Sequence, residues 1–230
     1  MMPSIKVHKE GYPFITAFAF TTLIFFLLDG WAWMLAGFVL AILTLWCVYF
    51  FRDPDRVTPV EEGLVISPAD GVIQSVTDAS PPPELGLDLN TMRRVSIFMN
   101  VFDCHINRSP IDGKLISSSY CPGKFFNASL DKASIHNERR AMRMTTVNGD
   151  DLVIVQIAGL VARRIICWKS DDTELKTGER FGMIRFGSRV DVYLQNTATI
   201  LAVVGQRAVA GETVIADLKA DREDRKGETR

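Results

Sequence analysis

Ser188 is the first residue to consider for chemistry. It follows Gly187 in Gly182-Met183-Ile184-Arg185-Phe186-Gly187-Ser188-Arg189-Val190-Asp191-Val192-Tyr193-Leu194. Read plainly, a Gly-Ser pair between two apolar, alternating runs is a tight turn or bulge joining two strands. The sharper reading is a nucleophilic serine behind a residue without a side chain, which leaves the preceding carbonyl open to attack. A serine hydroxyl needs a base, and the chain has three histidines. His105, in Phe102-Asp103-Cys104-His105-Ile106-Asn107-Arg108-Ser109-Pro110, ends an apolar run where a rigid element meets a loop. His136 lies in a polar loop, and His8 reads as solvated. Histidines spread this widely give no metal-ligand spacing, so no metal is expected. Asp70, Asp103 or Asp112 would complete a Ser-His-Asp arrangement with Ser188 and His105. Spacing does not choose among them, and there is no G-x-S-x-G elbow.

The elements that must position these residues form a mostly β domain. Short alternating runs cover Gly63 to Ser67, Gly71 to Thr77, Arg93 to Val101, Gly113 to Tyr120, Arg140 to Val147 and Asp151 to Ile157. Asn148-Gly149-Asp150 is a hairpin-like turn, and one short helix is expected around Gly159 to Ile166. Ser67-Pro68-Ala69-Asp70-Gly71 echoes Ser109-Pro110-Ile111-Asp112-Gly113. Thr177-Gly178-Glu179 likewise echoes Ala210-Gly211-Glu212. Turns of the second kind recur in barrel-sandwich domains, but the modified lysine of biotinyl or lipoyl carriers has no counterpart here.

Before this domain, Tyr12 to Phe51 is almost wholly apolar, broken only near Asp29-Gly30. It reads as two membrane helices joined by an Asp-Gly turn, the first short for a span. A signal peptide fits poorly, since the run is too long and lacks a small-residue cleavage site. Lys6 and Lys9 precede the pair and Arg52 and Arg56 follow it, which places both ends on the cytoplasmic side. The expected organisation is an N-terminal segment (1–11), a helical hairpin (12–51), a β domain (52–217) and a charged, disordered tail (218–230). The net charge of −1 gives no field that would draw the protein to nucleic acid. The four cysteines are scattered and fit a reducing compartment.

Taken in order, several stretches resemble the phosphatidylserine decarboxylase proenzymes in their short, membrane-anchored form. They include Phe50-Phe51-Arg52-Asp53-Pro54-Asp55-Arg56, Ser67-Pro68-Ala69-Asp70-Gly71, His105-Ile106-Asn107-Arg108-Ser109-Pro110, Tyr120-Cys121-Pro122-Gly123-Lys124-Phe125, Ala158-Gly159-Leu160-Val161 and Phe186-Gly187-Ser188. Arg189 stands where other branches have Thr. The resemblance implies self-cleavage between Gly187 and Ser188 into a β chain (1–187) and an α chain (188–230) that stay together as a heterodimer, with a higher oligomer open. It assigns the processing step to Ser188, His105 and Asp70, and converts Ser188 into a covalent pyruvoyl group. That group would form a Schiff base with the amine of phosphatidylserine, and His105 would serve as proton donor. The reaction would yield phosphatidylethanolamine and carbon dioxide at the inner face of the cell membrane. Two readings compete: a membrane-anchored scaffold without chemistry, and a serine hydrolase using Ser188. The loop from Tyr120 to Asn137 reads as an exposed connection, or as a mobile cover in which Phe125 and Phe126 meet lipid and Lys124 or His136 meets phosphate.

Overall fold

The apolar run folds as α1 (Tyr12–Leu27) and α2 (Trp31–Phe50). Pro13 falls in the first turn of α1, where a missing N–H costs nothing. Gly30, with φ +120°, makes the reversal that an L side chain would resist. Counting the turn before α1, the spans are Lys9–Leu27 and Trp31–Phe50, 19 and 20 residues, long and apolar enough to cross a membrane. At about 1.5 Å per residue each covers roughly 30 Å. The first span is therefore not short, because its helical path begins at Lys9. The helices approach through Gly37, where a Cβ would sit 2.7 Å from the Phe26 ring. Outward-facing Phe20, Leu23, Trp31, Ile42 and Leu45 are exposed, as in helices that are apolar all round. The two open ends zip together. The His8 N–H donates to Phe51 O at 2.8 Å, the Asp53 N–H donates to Lys6 O at 2.7 Å, and Lys6 pairs with Asp55 at 2.5 Å.

This computed structural model describes residues 6–87, 91–129, 133–160, 164–185, 187–220 and 224–225. The chain divides into Met1–Asp55, which holds α1 and α2, and Arg56–Arg230. The second unit is mainly β. Its strands are β1 (Leu64–Ile66), β2 (Gly71–Ala79), β3 (Met92–Met99), β4 (Ile106–Arg108), β5 (Gly113–Cys121), β6 (Arg139–Thr145), β7 (Asp151–Ile157), β8 (Arg164–Cys167), β9 (Glu174–Leu175), β10 (Arg180–Arg185), β11 (Ser188–Leu194), β12 (Thr199–Ile200), β13 (Arg207–Ala208) and β14 (Val214–Asp217). The helix expected around 159–166 is not formed at Arg164–Ile166. Ile165 and Ile166 there pair with Ile184 and Met183 of β10, and β-branched residues favour such a pleated surface. Residues 161–163 lie outside the described residues. A single helical turn, α3 (Ala133–His136), falls elsewhere.

Eight strands form one antiparallel sheet in the order β13-β2-β3-β11-β7-β6-β5-β9, curled into a half-barrel. Two three-stranded sheets, β1-β14-β12 and β4-β10-β8, complete the unit. Strand β11 lies between β3 and β7, and all seven of its residues are buried. Val190, Val192 and Leu194 enter the main core, whereas Tyr193 packs with Val153, Val155 and Met92 on the other face. This is the period-two alternation of a strand covered on both sides.

The sequence echoes become two matching latches. Ser67 Oγ donates to Ala69 O at 2.7 Å, and Ser109 Oγ donates to Ile111 O at 2.8 Å. Asp70 Oδ1 accepts the Ala210 N–H at 2.8 Å, and Asp112 Oδ1 accepts the Thr177 N–H at 2.7 Å. Gly211 and Gly178, both with φ +78°, donate to Ser67 O and Ser109 O. Burial pushes the Asp112 carboxyl up, but hydrogen bonds from the Thr177 backbone and hydroxyl and from Lys176 outweigh it. They hold the group below the ordinary carboxylate range. In the charged C-terminal stretch, Asp224 is docked: it accepts the Ile200 N–H at 2.9 Å and pairs with Arg93 at 2.5 Å.

Candidate active site

The joint between β10 and β11 carries Gly187 and Ser188. Gly187 has φ +64°, a left-handed conformation that β-branched or bulky residues strongly resist. Its carbonyl oxygen lies against Gly159, where a Cβ would come within 2.1 Å of it. Only glycine at 159 lets the two backbones approach this closely. Ser188 is fully buried, sits opposite Met99 in register, and points its Oγ at Met99 Sδ, 3.6 Å away.

His105 is also fully buried, just before β4. Its Nε2 accepts the Gly187 N–H at 3.2 Å, and its Nδ1 lies 3.0 Å from Asp103 O. A ring nitrogen that accepts must be bare, so the proton sits on Nδ1 and is donated to the Asp103 carbonyl. Base and nucleophile thus lie on either side of Gly187, His105 at its N–H and Ser188 after its carbonyl. Among the described residues they are not hydrogen-bonded to each other. The turn that presents the imidazole is pinned by Asp103, whose carboxylate accepts the Asn100 N–H at 2.8 Å and pairs with Arg207.

Among the described residues, the hydrogen bonds of Asp70 run to Arg56 and Ala210 and not to the imidazole. The Asp70 carboxylate is engaged by Arg56 at 2.8 Å and by the Ala210 N–H, the same latch that holds Asp112. His105 Nδ1 instead meets the Asp103 carbonyl, at 3.0 Å. Asp70 still bears on the site through its turn, because Pro68 O accepts from Arg108 N at 3.0 Å and Asn107 Nδ2 at 3.4 Å. Asn107 in turn accepts from Gln156 Nε2 at 2.8 Å, inside the core. The turn therefore braces β4, the strand entered directly from His105.

Lys124, Phe125 and Phe126 lie on the loop between β5 and α3, and His136 ends α3. The Lys124 ammonium lies 5.8 Å from the Phe126 ring centroid, and the Phe126 and His136 rings meet edge-on at 6.4 Å. Phe125 packs on the main core. The loop is fastened by buried Asn137, which accepts the Phe126 N–H at 2.9 Å and donates to Phe126 O and Ala158 O at 2.7 Å each. Ala128 reaches the scissile region: its Cβ is 3.4 Å from the position a Cβ would take at Gly159.

Arg189 and Asp191 were not singled out as site residues, yet both are buried and paired at 2.9 Å on the face of β11 opposite the main core. Arg189 also donates to Ala128 O at 3.1 Å and to Ser134 Oγ, tying the loop to the residue after Ser188. The signal was present as Arg-x-Asp on one face of a strand. Gly159 is the other omission, and its role exists only where the chain crosses Gly187.

Comparison with known proteins agrees with this arrangement. Residues 43–216 match the family profile described as phosphatidylserine decarboxylase, and the chain belongs to that family. It is 56% identical over 211 residues to the phosphatidylserine decarboxylase proenzymes of Rickettsia typhi and Rickettsia prowazekii, covering 92% of this chain and 90% of each relative. The proenzyme of Rickettsia africae is 56% identical over the same extent.

Proposed function

We propose that the protein is a self-processing decarboxylase that converts phosphatidylserine to phosphatidylethanolamine and carbon dioxide in phospholipid biosynthesis. The observation that carries this reading is the Gly187–Ser188 joint: a serine at the start of a buried strand, behind a left-handed glycine whose amide rests on a histidine. The family membership agrees with it.

Processing follows from the residues in place. Rotation about the Ser188 Cα–Cβ bond takes Oγ from Met99 Sδ toward the Gly187 carbonyl. His105 Nε2 releases the Gly187 N–H and takes the hydroxyl proton. The Gly187–Ser188 amide becomes an ester at Oγ, with the amine of residue 188 freed. β-Elimination leaves Gly187 as a carboxylate and residue 188 as dehydroalanine, which water converts to a pyruvoyl group and ammonia. The enclosure suits such a cap. Residue 188 is buried, Gly159 keeps the space over the carbonyl open, and the nearest heavy atom to a Cβ at Gly187 would be Val101 Cγ1 at 3.8 Å. Once formed, the group supplies an electron sink for loss of carbon dioxide from a bound amino acid head group. His105 holds the proton for that step. Lys124 and His136 are proposed to face the lipid phosphate and Phe125 and Phe126 its apolar part.

Asp70 acts here as a brace. Asp112→Asn is expected to self-cleave like wild type. Asp70→Asn is expected to cleave more slowly and to lose roughly 1–3 kcal/mol of stability, because Arg56 is left partly buried without its charge partner. Time courses on denaturing gels with matched thermal melts check this; equal behaviour of the two variants would count against the brace.

The fragments are expected to be 1–187 and 188–230, the smaller refusing N-terminal sequencing because it begins with a ketone. Intact mass before and after denaturation is the test. A single uncleaved band would favour a scaffold, and labelling of intact Ser188 by a fluorophosphonate would favour a hydrolase. The helices are proposed to span the cell membrane with both ends and the β unit on the cytoplasmic side. Labelling of a cysteine placed at position 57 by an impermeant thiol reagent in intact cells would refute that orientation.

A further inference from the structure

Three large apolar side chains near the site are exposed: Phe102 at 61%, Leu160 at 66% and Val204 at 58%. They belong to three separate turns, and hydrogen bonds and close backbone approaches join those turns through the active site. Phe102 lies in the turn that carries His105, whose ring receives the Gly187 N–H. Leu160 follows Gly159, which packs on the Gly187 carbonyl. Val204 lies in the turn before Arg207, and Arg207 pairs with Asp103 in the Phe102 turn. Scattered exposed apolar residues need no explanation, but convergent ones around a site do.

Charge distinguishes this face further. The chain carries 27 acidic residues. Segments 100–105, 122–129, 157–160 and 203–207 contain a single carboxylate among them, Asp103, and it is buried and paired. Their cations are Lys124, which is exposed, and Arg207, whose side chain is 60% exposed. Apolar tips among basic groups, with no exposed carboxylate in these described segments, fit a surface that is apolar beneath and anionic on top.

We infer that the turns bearing Phe102, Leu160 and Val204 seat the β unit on an anionic lipid bilayer, with the three side chains entering the headgroup–acyl boundary around the mouth of the active site. The inference rests on the decarboxylase reading only for its purpose, since the binding surface itself is read from exposure and charge. It places the mouth against the bilayer, so a lipid need only rise a short way to reach residue 188.

The test uses the full chain in proteoliposomes. Val204→Cys carries a polarity-sensitive dye, and Val147→Cys serves as the control, with the signal from the native cysteines subtracted. Val147 is 92% exposed in the turn joining β6 to β7. It is separated from Gly159 by the length of β7, roughly 20 Å. Nitroxide-bearing lipids are expected to quench the dye at 204 and not at 147, and quenching at 204 should deepen when phosphatidylglycerol replaces phosphatidylcholine. Equal behaviour at both positions overturns the inference. So does a signal at 204 that follows protein density and not lipid charge, which would indicate a second copy of the chain. Leu160→Asp should lower turnover of bilayer phosphatidylserine relative to a water-soluble short-chain analogue by at least about tenfold; an unchanged ratio also overturns it. Quenching without any decarboxylation would keep the surface and remove the proposed reaction, whereas decarboxylation without quenching would do the reverse.

Discussion

Ser188→Ala yields one full-length chain that never divides and releases no carbon dioxide from phosphatidylserine. Without Oγ there is no ester, no elimination and no ketone. The substitution should be quiet structurally, because among the described residues the hydrogen-bond partner of Ser188 Oγ is Met99 Sδ, at 3.6 Å. Losing so weak a partner costs at most about 1 kcal/mol. Unfolding therefore does not explain the loss, and a melt within a few degrees of wild type would establish that. The measurements are intact mass, a denaturing gel and carbon dioxide release. Full activity in uncleaved Ser188→Ala would end the pyruvoyl assignment, as would a free serine at the start of the wild-type small fragment. Borohydride treatment of wild type should reduce the ketone to an alcohol and abolish turnover.

His105→Ala is expected to slow self-cleavage by roughly 10²–10⁴, the range spanned by a positioned general base. The interpretation needs a companion, because the alanine also strands one buried and one half-buried group. The Gly187 N–H at 3.2 Å and the Asp103 carbonyl at 3.0 Å both lose their partner. Each stranded group costs on the order of 1–3 kcal/mol. His105→Gln keeps an acceptor and a donor on one side chain but has no basic nitrogen. If it stays uncleaved while melting like wild type, the missing function is proton transfer. If it divides at the wild-type rate, His105 merely holds the Gly187 amide. Added imidazole should restore part of the rate to His105→Ala in the first case and none in the second.

Strand positions were legible because Gly, Pro, Asn and Asp punctuate alternating runs, and the run from Asp151 to Ile157 is β7 residue for residue. The echoed turns were legible as pairs, but their content was not. That Asp70 and Asp112 each cap a backbone N–H from a distant Gly-Glu turn depends on partners 140 and 65 residues away. The choice among Asp70, Asp103 and Asp112 could not be made from spacing for the same reason. The resemblance favoured Asp70, whereas the imidazole meets the backbone carbonyl of Asp103, a contact that needs no particular side chain there. Residues 164–166 were misread because the apolar stretch into Cys167 satisfies helix and strand periods alike over so few residues. Its pairing with β10 decides the matter. The Arg-x-Asp pair of Arg189 and Asp191 does not stand out in the sequence, because a charge in a strand ordinarily marks an exposed face, whereas Arg189 is buried.

The position of β11 bears on the order of events in the cell. Ser188 begins the strand that β3 and β7 enclose on either side, and β13 and β14 of the same fragment pair with β2 and β1. The left-handed glycine, the histidine and Gly159 meet only after those pairings form. On the proposed reading, a chain that has not folded cannot divide, and one that has divided cannot shed its smaller piece without dismantling the sheet. The proportion of divided chain then becomes a clock-like record of how much protein reached its native state. Any change that delays β-sheet assembly, however far from residue 188, would show on a gel as a larger share of the undivided form.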